Sequence, residues 1–358
     1  GDTVLRGGVG LYSGGNPNVW LSNTYSANNV LQFGASGRPF DLQNGTRSLL
    51  GDDIVWLDIE SNAPAGAGPG WGIPQELYDQ ITDGTGSNFE INYLDPKFEI
   101  PSEWKFALGV THIFPKEYIL TADILISEGQ DSPLIKRGDL DQVGTLEGGY
   151  PEYESVREGS FVLTNSSKGN RSKLFALGLS KEYDNGFNFA VGYAWNDAED
   201  VQPMNSAVAF SNYNNRAFFD PQEDVLSTSE YSIEHRFTFN GTWRKELFGD
   251  SLLTLALYGS ANSGYPYSFA SGNPGYPIFL ENDSVLEPGD KRNSETGDWW
   301  RKLDMRASID FPGFADGHRA QAFLVIDNLT NLINDDWGVL KRPDFPRLAT
   351  KGEQAQQR

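Results

Sequence analysis

The feature that most limits the fold of this chain is a side-chain alternation of period two, clearest from Phe187 to Trp195. Odd positions carry Phe187, Phe189, Val191, Tyr193 and Trp195; even positions carry Asn188, Ala190, Gly192 and Ala194. Successive side chains of a strand point to opposite faces, so one face is apolar with aromatics at both ends and the other is small and polar. The rule recurs. Tyr231, Ile233, Phe237, Phe239 and Trp243 alternate with Glu234, Arg236, Thr238 and Asn240, His235 interrupting the apolar set near an interface. Leu303, Met305, Ala307, Ile309 and Phe311 alternate with Lys302, Asp304, Arg306, Ser308 and Asp310. Phe106, Leu108 and Val110 make another such face, continued by Tyr118, Leu120, Ala122, Ile124 and Ile126, which turns Asp123 to the other side.

Alternation alone fits a soluble antiparallel sheet equally well. The spacing of the strands separates the two. Short connections are expected near Ser13–Asn18, Pro115–Glu117, Glu182–Gly186, Lys245–Asp250 and Pro312–His318, and long ones over 35–104, 128–171, 197–229 and 262–299. Short and long alternate along the chain, as periplasmic turns and extracellular loops do in an up-and-down outer-membrane barrel. A soluble sandwich has no reason to put every long loop at one end. The expected fold is therefore all-β, an antiparallel up-and-down transmembrane β-barrel. About ten strands are expected, near 3–13, 18–34, 104–114, 117–127, 172–182, 187–196, 229–244, 251–262, 300–311 and 319–327. The first would descend and the last ascend, leaving 328–358 as an extracellular loop before a further strand. An even strand number, and an opening at Gly1-Asp2-Thr3 with no export signal, lead us to expect a piece of a longer protein.

Composition removes several alternatives. The formal charge of −21 argues against nucleic acid, which needs clustered Lys and Arg. No Cys occurs, so disulfide frameworks and thiolate metal sites are excluded. No apolar run approaches the roughly 18 residues of a membrane helix. A mean hydropathy of −0.46 does not contradict a barrel, because only alternate strand residues face lipid.

Three phrases resemble a known family. Arg6-Gly-Gly-Val-Gly-Leu-Tyr-Ser-Gly-Gly-Asn-Pro-Asn-Val-Trp-Leu-Ser-Asn23 is similar to a mid-barrel segment of Oar-like TonB-dependent receptors. Leu303-Asp-Met-Arg-Ala-Ser-Ile-Asp-Phe311 and Phe323-Leu-Val-Ile-Asp-Asn-Leu-Thr-Asn-Leu-Ile-Asn334 resemble their penultimate hairpin. The resemblance implies a barrel of about 22 strands, closed by an N-terminal plug and energised through TonB. It implies that 1–327 is the C-terminal half of such a barrel, in the outer membrane of a Gram-negative bacterium. The plug, the TonB-contacting segment and the other half-barrel have no counterpart in this sequence. Expected partners are outer-membrane lipid, the protein's own plug and remaining strands, TonB, and a transported ligand. A passive porin or adhesin barrel, or a soluble carbohydrate-binding β protein, are the alternatives.

Candidate site residues fall into two sets. Asp123, Glu234, Arg236, Lys302, Asp304, Arg306 and Asp310 are expected to face the lumen, as a charge ladder between strands or as plug contacts. Trp71, Tyr150, Tyr153, Tyr265, Tyr267 and Tyr276, in Gly- and Pro-rich loops, are expected ligand contacts, whereas Trp299 and Trp300 at a strand end are expected interface anchors. No cofactor is expected. The carboxylates Asp52, Asp53, Asp58 and Glu60, then Asp197, Glu199 and Asp200, then Asp220, Glu223 and Asp224, are the alternative, as oxygen ligands for Ca²⁺. None has the fixed Gly and terminal Glu of a calcium-binding helix–loop–helix. His112, His235 and His318 stand apart, without metal spacing. A paired-carboxylate glycosidase is suggested by the acids and nine Trp, but no nucleophile elbow or triad spacing appears, and no enzyme is expected.

Overall fold

The computed structural model describes residues 2–14, 18–26, 91–156, 159–270, 285–313, 315, 317–343, 345 and 348–350. In chain order these form β1 (Thr3–Ser13), α1 (Asn18–Ser26), β2 (Ile91–Leu94), β3 (Ser102–Phe114), β4 (Tyr118–Gln130), β5 (Pro133–Arg137), β6 (Leu140–Thr145), β7 (Pro151–Ser155), β8 (Ser160–Asn165) and β9 (Arg171–Glu182). There follow β10 (Phe187–Asp200), α2 (Ala209–Asn214), β11 (Ser227–Thr228), β12 (His235–Glu246), β13 (Leu252–Asn262), β14 (Pro266–Ala270), β15 (Glu295–Thr296), β16 (Trp300–Pro312), β17 (Arg319–Ile326) and β18 (Leu348–Thr350).

Nine strands lie side by side as one antiparallel wall, in the order β1, β3, β4, β9, β10, β12, β13, β16, β17, with two-residue β11 pairing the end of β10. Pairing in register keeps the two faces separate across the wall. One rung runs Leu5, Val110, Ala122, Leu177, Tyr193, Phe237; the adjacent rung runs Arg6, Gly109, Asp123, Ala176, Ala194, Arg236. The expected faces of β3, β4, β10, β12 and β16 are those found.

The wall departs from a soluble sheet in where its apolar residues go. Leu5 is 75% exposed and Val9 72%, and Phe106, Leu108, Val191, Phe237 and Leu257 on the same face are exposed as well. Every fully buried apolar residue among the described ones lies outside the nine wall strands. A sheet in water would bury one face to gain roughly 25 cal/mol per Å². This one presents a continuous apolar surface to its surroundings, which suits lipid as the solvent.

Two expectations fail. Residues 18–26 form α1, and no strand is described over 18–34. The reason is pairing: β1 is hydrogen-bonded to β3 along its full length, from Thr3 opposite His112 to Ser13 opposite Ser102, so no strand can sit between them. Val19-Trp20-Leu21 is an apolar run without alternation, and Trp20 and Leu21 pack against a loop core. The wall accordingly has nine strands where about ten were expected, and β1 runs toward the long loops instead of away from them. Second, β12 begins at His235, so Tyr231, Ile233 and Glu234 precede the strand.

The other expected turns are present, and the long connections lie together at the opposite end of the wall. There the loops fold on themselves. β2, β8 and β5 form a small sheet, β6 pairs β7, and β14 lies between β15 and β18. Ile135, Phe161, Leu163, Ala209 and Tyr213 make one core; Tyr150, Tyr153, Phe218 and Val285 make another. After β17, Asn328 adopts a left-handed conformation (φ 54°) that Asn tolerates better than most residues, and its N–H donates to Asp304 at 2.7 Å. The described part of 328–358 then returns to the loop end, where β18 pairs parallel to β14.

Candidate functional site

The polar face of the wall carries three groupings of charge. Arg6 reaches across β3 to Asp123 at 2.6 Å and donates to Thr111 at 2.8 Å. The bridge passes over Gly109, where a Cβ would collide with Asp123 Oδ1 and lie 2.8 Å from Arg6 Nε. On β16, Lys302 pairs with Asp304 at 3.0 Å, while Gln321 of β17 donates to Asp310 at 2.7 Å and accepts from Arg306 at 3.3 Å. Arg306 also lies over the Phe323 ring, 5.2 Å from its centroid. Arg236 stands between them. It has no carboxylate within 4.0 Å among the described residues, and it borders a depression of about 240 Å³ floored by Ala176, Gly178, Gly192 and Ala194. Glu234 is not part of this ladder, since its carboxylate turns to His235 at 3.5 Å. The structure thus brings Asp304, Lys302, Arg306 and Asp310 together, and sets Asp123 with a partner, Arg6, that alternation alone did not single out.

At the loop end a cavity of about 350 Å³ opens between wall and loops. Its floor is the polar face, through Glu103, Ser127, Ser172 and Ala198; its roof is loop, through Trp20, Met204 and Tyr231. Trp20 is held by an Nε1 hydrogen bond to Ser206 O at 2.9 Å. Gln202, 2% exposed, is fixed by Ile135 N–H at 2.7 Å and donates to Asn212 O at 3.1 Å. The acids around the cavity all have protein partners: Glu103 with Lys105, Glu199 with Arg171, and Asp200 with Arg292. A cavity whose lining is mainly apolar, with its charges already paired and aromatic rings at its roof, offers stacking and a few hydrogen bonds with little net field.

The expected loop contacts have other placements. Tyr150 is buried, stacks on Phe219 with centroids 4.8 Å apart, and donates to Leu286 O at 3.1 Å. Tyr153 is buried and donates to Asp220 at 2.9 Å; burial and that carboxylate push its phenol up. Tyr267 is buried against Phe269, and Tyr265 lies half-buried beside Arg342. These tyrosines pack one loop against another. Trp71 and Tyr276, with Asp52, Asp53, Asp58 and Glu60, lie outside the described residues. Trp299 stacks on His235, 6.1 Å between centroids, at the rim of the apolar face, while Trp300 on the polar face donates to Gly338 O at 2.9 Å.

Among the described carboxylates weighed as calcium ligands, Glu199 and Asp200 pair with arginines and the 220–224 group is held by the protein. Asp220 accepts from Tyr153 and Gln222 N, and Asp224 from Ser166 and Ser167 N. Burial pushes the Glu223 carboxyl up even with Arg216 at 3.7 Å. No group of three metal-ligating side chains occurs among the described residues. Within the loops, Arg137 and Asp139 form a buried bidentate pair, with Ser155 donating to Asp139 at 2.7 Å. Burial alone would raise the Asp139 carboxyl, but the hydrogen bonds from Arg137 and Ser155 leave it below the usual carboxylate range.

Comparison with protein-family models agrees with this architecture. The family model for the outer membrane beta barrel domain matches residues 1–283. No curated protein matches. Among solved structures, the outer membrane transporter YddB from Escherichia coli is similar with a TM-score of 0.46 and 11% identity, over 69% of this chain. The alignment spans 31% of that transporter's length.

Proposed function

This chain belongs to the outer membrane beta-barrel domain family and sits in the outer membrane, and from that premise we propose that it is the C-terminal part of an Oar-like, TonB-dependent receptor. In this reading the barrel is closed by a plug, and a ligand captured between the long loops crosses the membrane when TonB displaces that plug. The observation that carries it is the cavity of about 350 Å³ built jointly by the extracellular loops and the lumen wall, because a ligand held there touches both the capture surface and the route inward. Catalysis and a bound cofactor are not part of the reading.

Two further features support it. Among the described residues β1 and β17 each lack a second neighbour in the wall. An open sheet edge is not viable in hydrocarbon, so more strands must complete the barrel. Arg236, without a carboxylate partner in the wall, and the ladder of Lys302, Asp304, Arg306 and Asp310 give a plug of complementary charge something to hold. The internal pairing of the cavity's acids favours an uncharged polar ligand with an apolar face.

The test is uptake in cells carrying the whole protein. Uptake that stops when a protonophore collapses the proton-motive force, and that falls when Trp20→Ala opens the cavity roof, supports the reading. Flux of small solutes that persists through the collapse replaces it with a passive porin. Surface attachment without flux replaces it with an adhesin.

A further inference from the structure

We propose that the periplasmic end of the lipid-facing wall carries a binding site for the phosphodiester headgroup of an inner-leaflet phospholipid, centred on Lys181. This rests on the outer-membrane placement and not on transport. Lys181 lies on the apolar face of β9, opposite Phe189 of β10. Its ammonium sits between two rings, 4.6 Å from the centroid of Tyr118 and 4.6 Å from that of Tyr183, and donates to the carbonyl oxygen of Lys116. The two tyrosine hydroxyls are 3.2 Å apart.

The donor inventory leaves this group incomplete. An ammonium has three N–H bonds, and the Lys116 carbonyl takes one. Of two hydroxyls within hydrogen-bond distance, one donates to the other and leaves a single O–H free. Two N–H groups of the ammonium and one O–H beside it thus have no oxygen acceptor among the described residues, a donor set that suits the non-bridging oxygens of a phosphodiester. No carboxylate lies within 4.0 Å of Lys181 among the described residues, although the chain carries a net charge of −21. Arg171, on the same face of β9 near the opposite end of the wall, is paired with Glu199. Ring faces attract a cation but do not neutralise it, and an uncompensated charge at a membrane face is costly.

Position selects the anion. Short turns face the periplasm, and this ammonium sits at the short-turn end, where phospholipid phosphates lie. Toward the membrane centre the same face continues as Leu120, Leu179 and Val191, a surface for acyl chains, while Phe189 lies level with Lys181 and Phe187 on its turn side, 6.4 Å and 5.9 Å from the Tyr183 ring. The next hairpin also sets a lysine beside a ring of this face, with Lys245 5.7 Å from the Trp243 centroid.

Native mass spectrometry of the whole protein, extracted in mild detergent with phosphatidylglycerol, tests this by counting retained lipids. Lys181→Met is expected to lower retention about five-fold, the effect of one interfacial cation, while Lys173→Met, on the same face of β9 near the loop end, leaves it unchanged. Lys181→Arg is expected to retain lipid, so loss of charge is read separately from loss of fold; an unfolded Lys181→Met is replaced by Tyr118→Phe/Tyr183→Phe, which removes the free hydroxyl and lowers retention. Equal retention by Lys181→Met and the wild type overturns the site. Displacement of lipid by millimolar inorganic phosphate also overturns it, as a simple anion site.

Discussion

Gly109 is where the geometry of the lumen face can be tested most directly. Arg6 and Asp123 stand on strands that are not neighbours, about 9.5 Å apart at ordinary sheet spacing, and Gly109 is in register between them. Their side chains must pass over residue 109 to meet. In Gly109→Ala the new methyl overlaps Asp123 Oδ1 and lies 2.8 Å from Arg6 Nε, so the 2.6 Å contact and the methyl cannot coexist. The pair itself is partly exposed, 47% and 31% at its side chains, and solvent screening limits its loss to about 0–1 kcal/mol. Crowding adds about 1–3 kcal/mol if the side chains cannot swing clear. Replacing a strand glycine by alanine should otherwise gain about 0.5–1 kcal/mol. Gly8 supplies that reference, because it is on the same face of β1 and a Cβ there meets nothing within 4 Å. Gly109→Ala is thus expected to be about 1–3 kcal/mol less stable than Gly8→Ala, measured by reversible urea unfolding of the whole protein in lipid vesicles. Gly109→Ala/Asp123→Ala should return close to Gly8→Ala. Equal stability of the two single glycine variants would refute the claim that the ion pair dictates glycine at this position.

Three further outcomes follow from the loops. Phe161→Ala, at a residue 1% exposed, is expected to cost about 3–5 kcal/mol of local stability, read as faster protease cleavage of the loops on intact cells with unchanged heat-modifiable migration of the barrel. Asp200→Ala leaves Arg292, 4% exposed, as an unpaired buried cation and should cost about 3–5 kcal/mol, read by hydrogen exchange at β14 and β15. Asp139 sets an acid limit. Because its folded-state carboxyl titrates below the ordinary value, its contribution is complete above that value and is lost as pH falls through the depressed one. Exchange protection of β5 and β8 should therefore persist through mild acid and fail below it, and Asp139→Asn should remove that acid step.

The wall was legible in the sequence because its two faces meet different solvents. Lipid outside and a polar interior inside force opposite chemistry on alternate residues, and from Phe187 to Trp195 the pattern states the register that β12 and β9 then adopt. The loops obey no such local rule. Tyr150 and Tyr153 carry the composition of ligand contacts, yet their partners, Leu286 and Asp220, lie 136 and 67 residues away. Local pattern places Trp20 in a strand, whereas its indole bonds to Ser206, 186 residues on. The cavity between wall and loops is invisible to alternation for the same reason, since its floor and roof come from segments that only the pairing of the wall brings together.

Between these extremes are residues whose type was visible and whose purpose was not. Gly178 and Gly192 fit a small polar face, and alternation asks nothing more of them. In the wall a Cβ on Gly178 would come 2.6 Å from the Thr121 hydroxyl, and one on Gly192 2.7 Å from that of Thr238. Each glycine thus makes room for a β-branched residue on the strand beside it, and together with Ala176 and Ala194 they hold the lumen surface flat next to Arg236. That flat stretch leaves the Arg236 guanidinium beside a smooth surface, with no carboxylate within 4.0 Å among the described residues. The Arg6–Asp123 bridge, which ends on β4 next to this surface, shows the opposite solution, in which one glycine lets neighbours lock across it. Sequence pattern cannot tell the two apart, because both are written as glycine at an inward position; the difference lies in whether the flanking strands offer a hydroxyl or an ion pair.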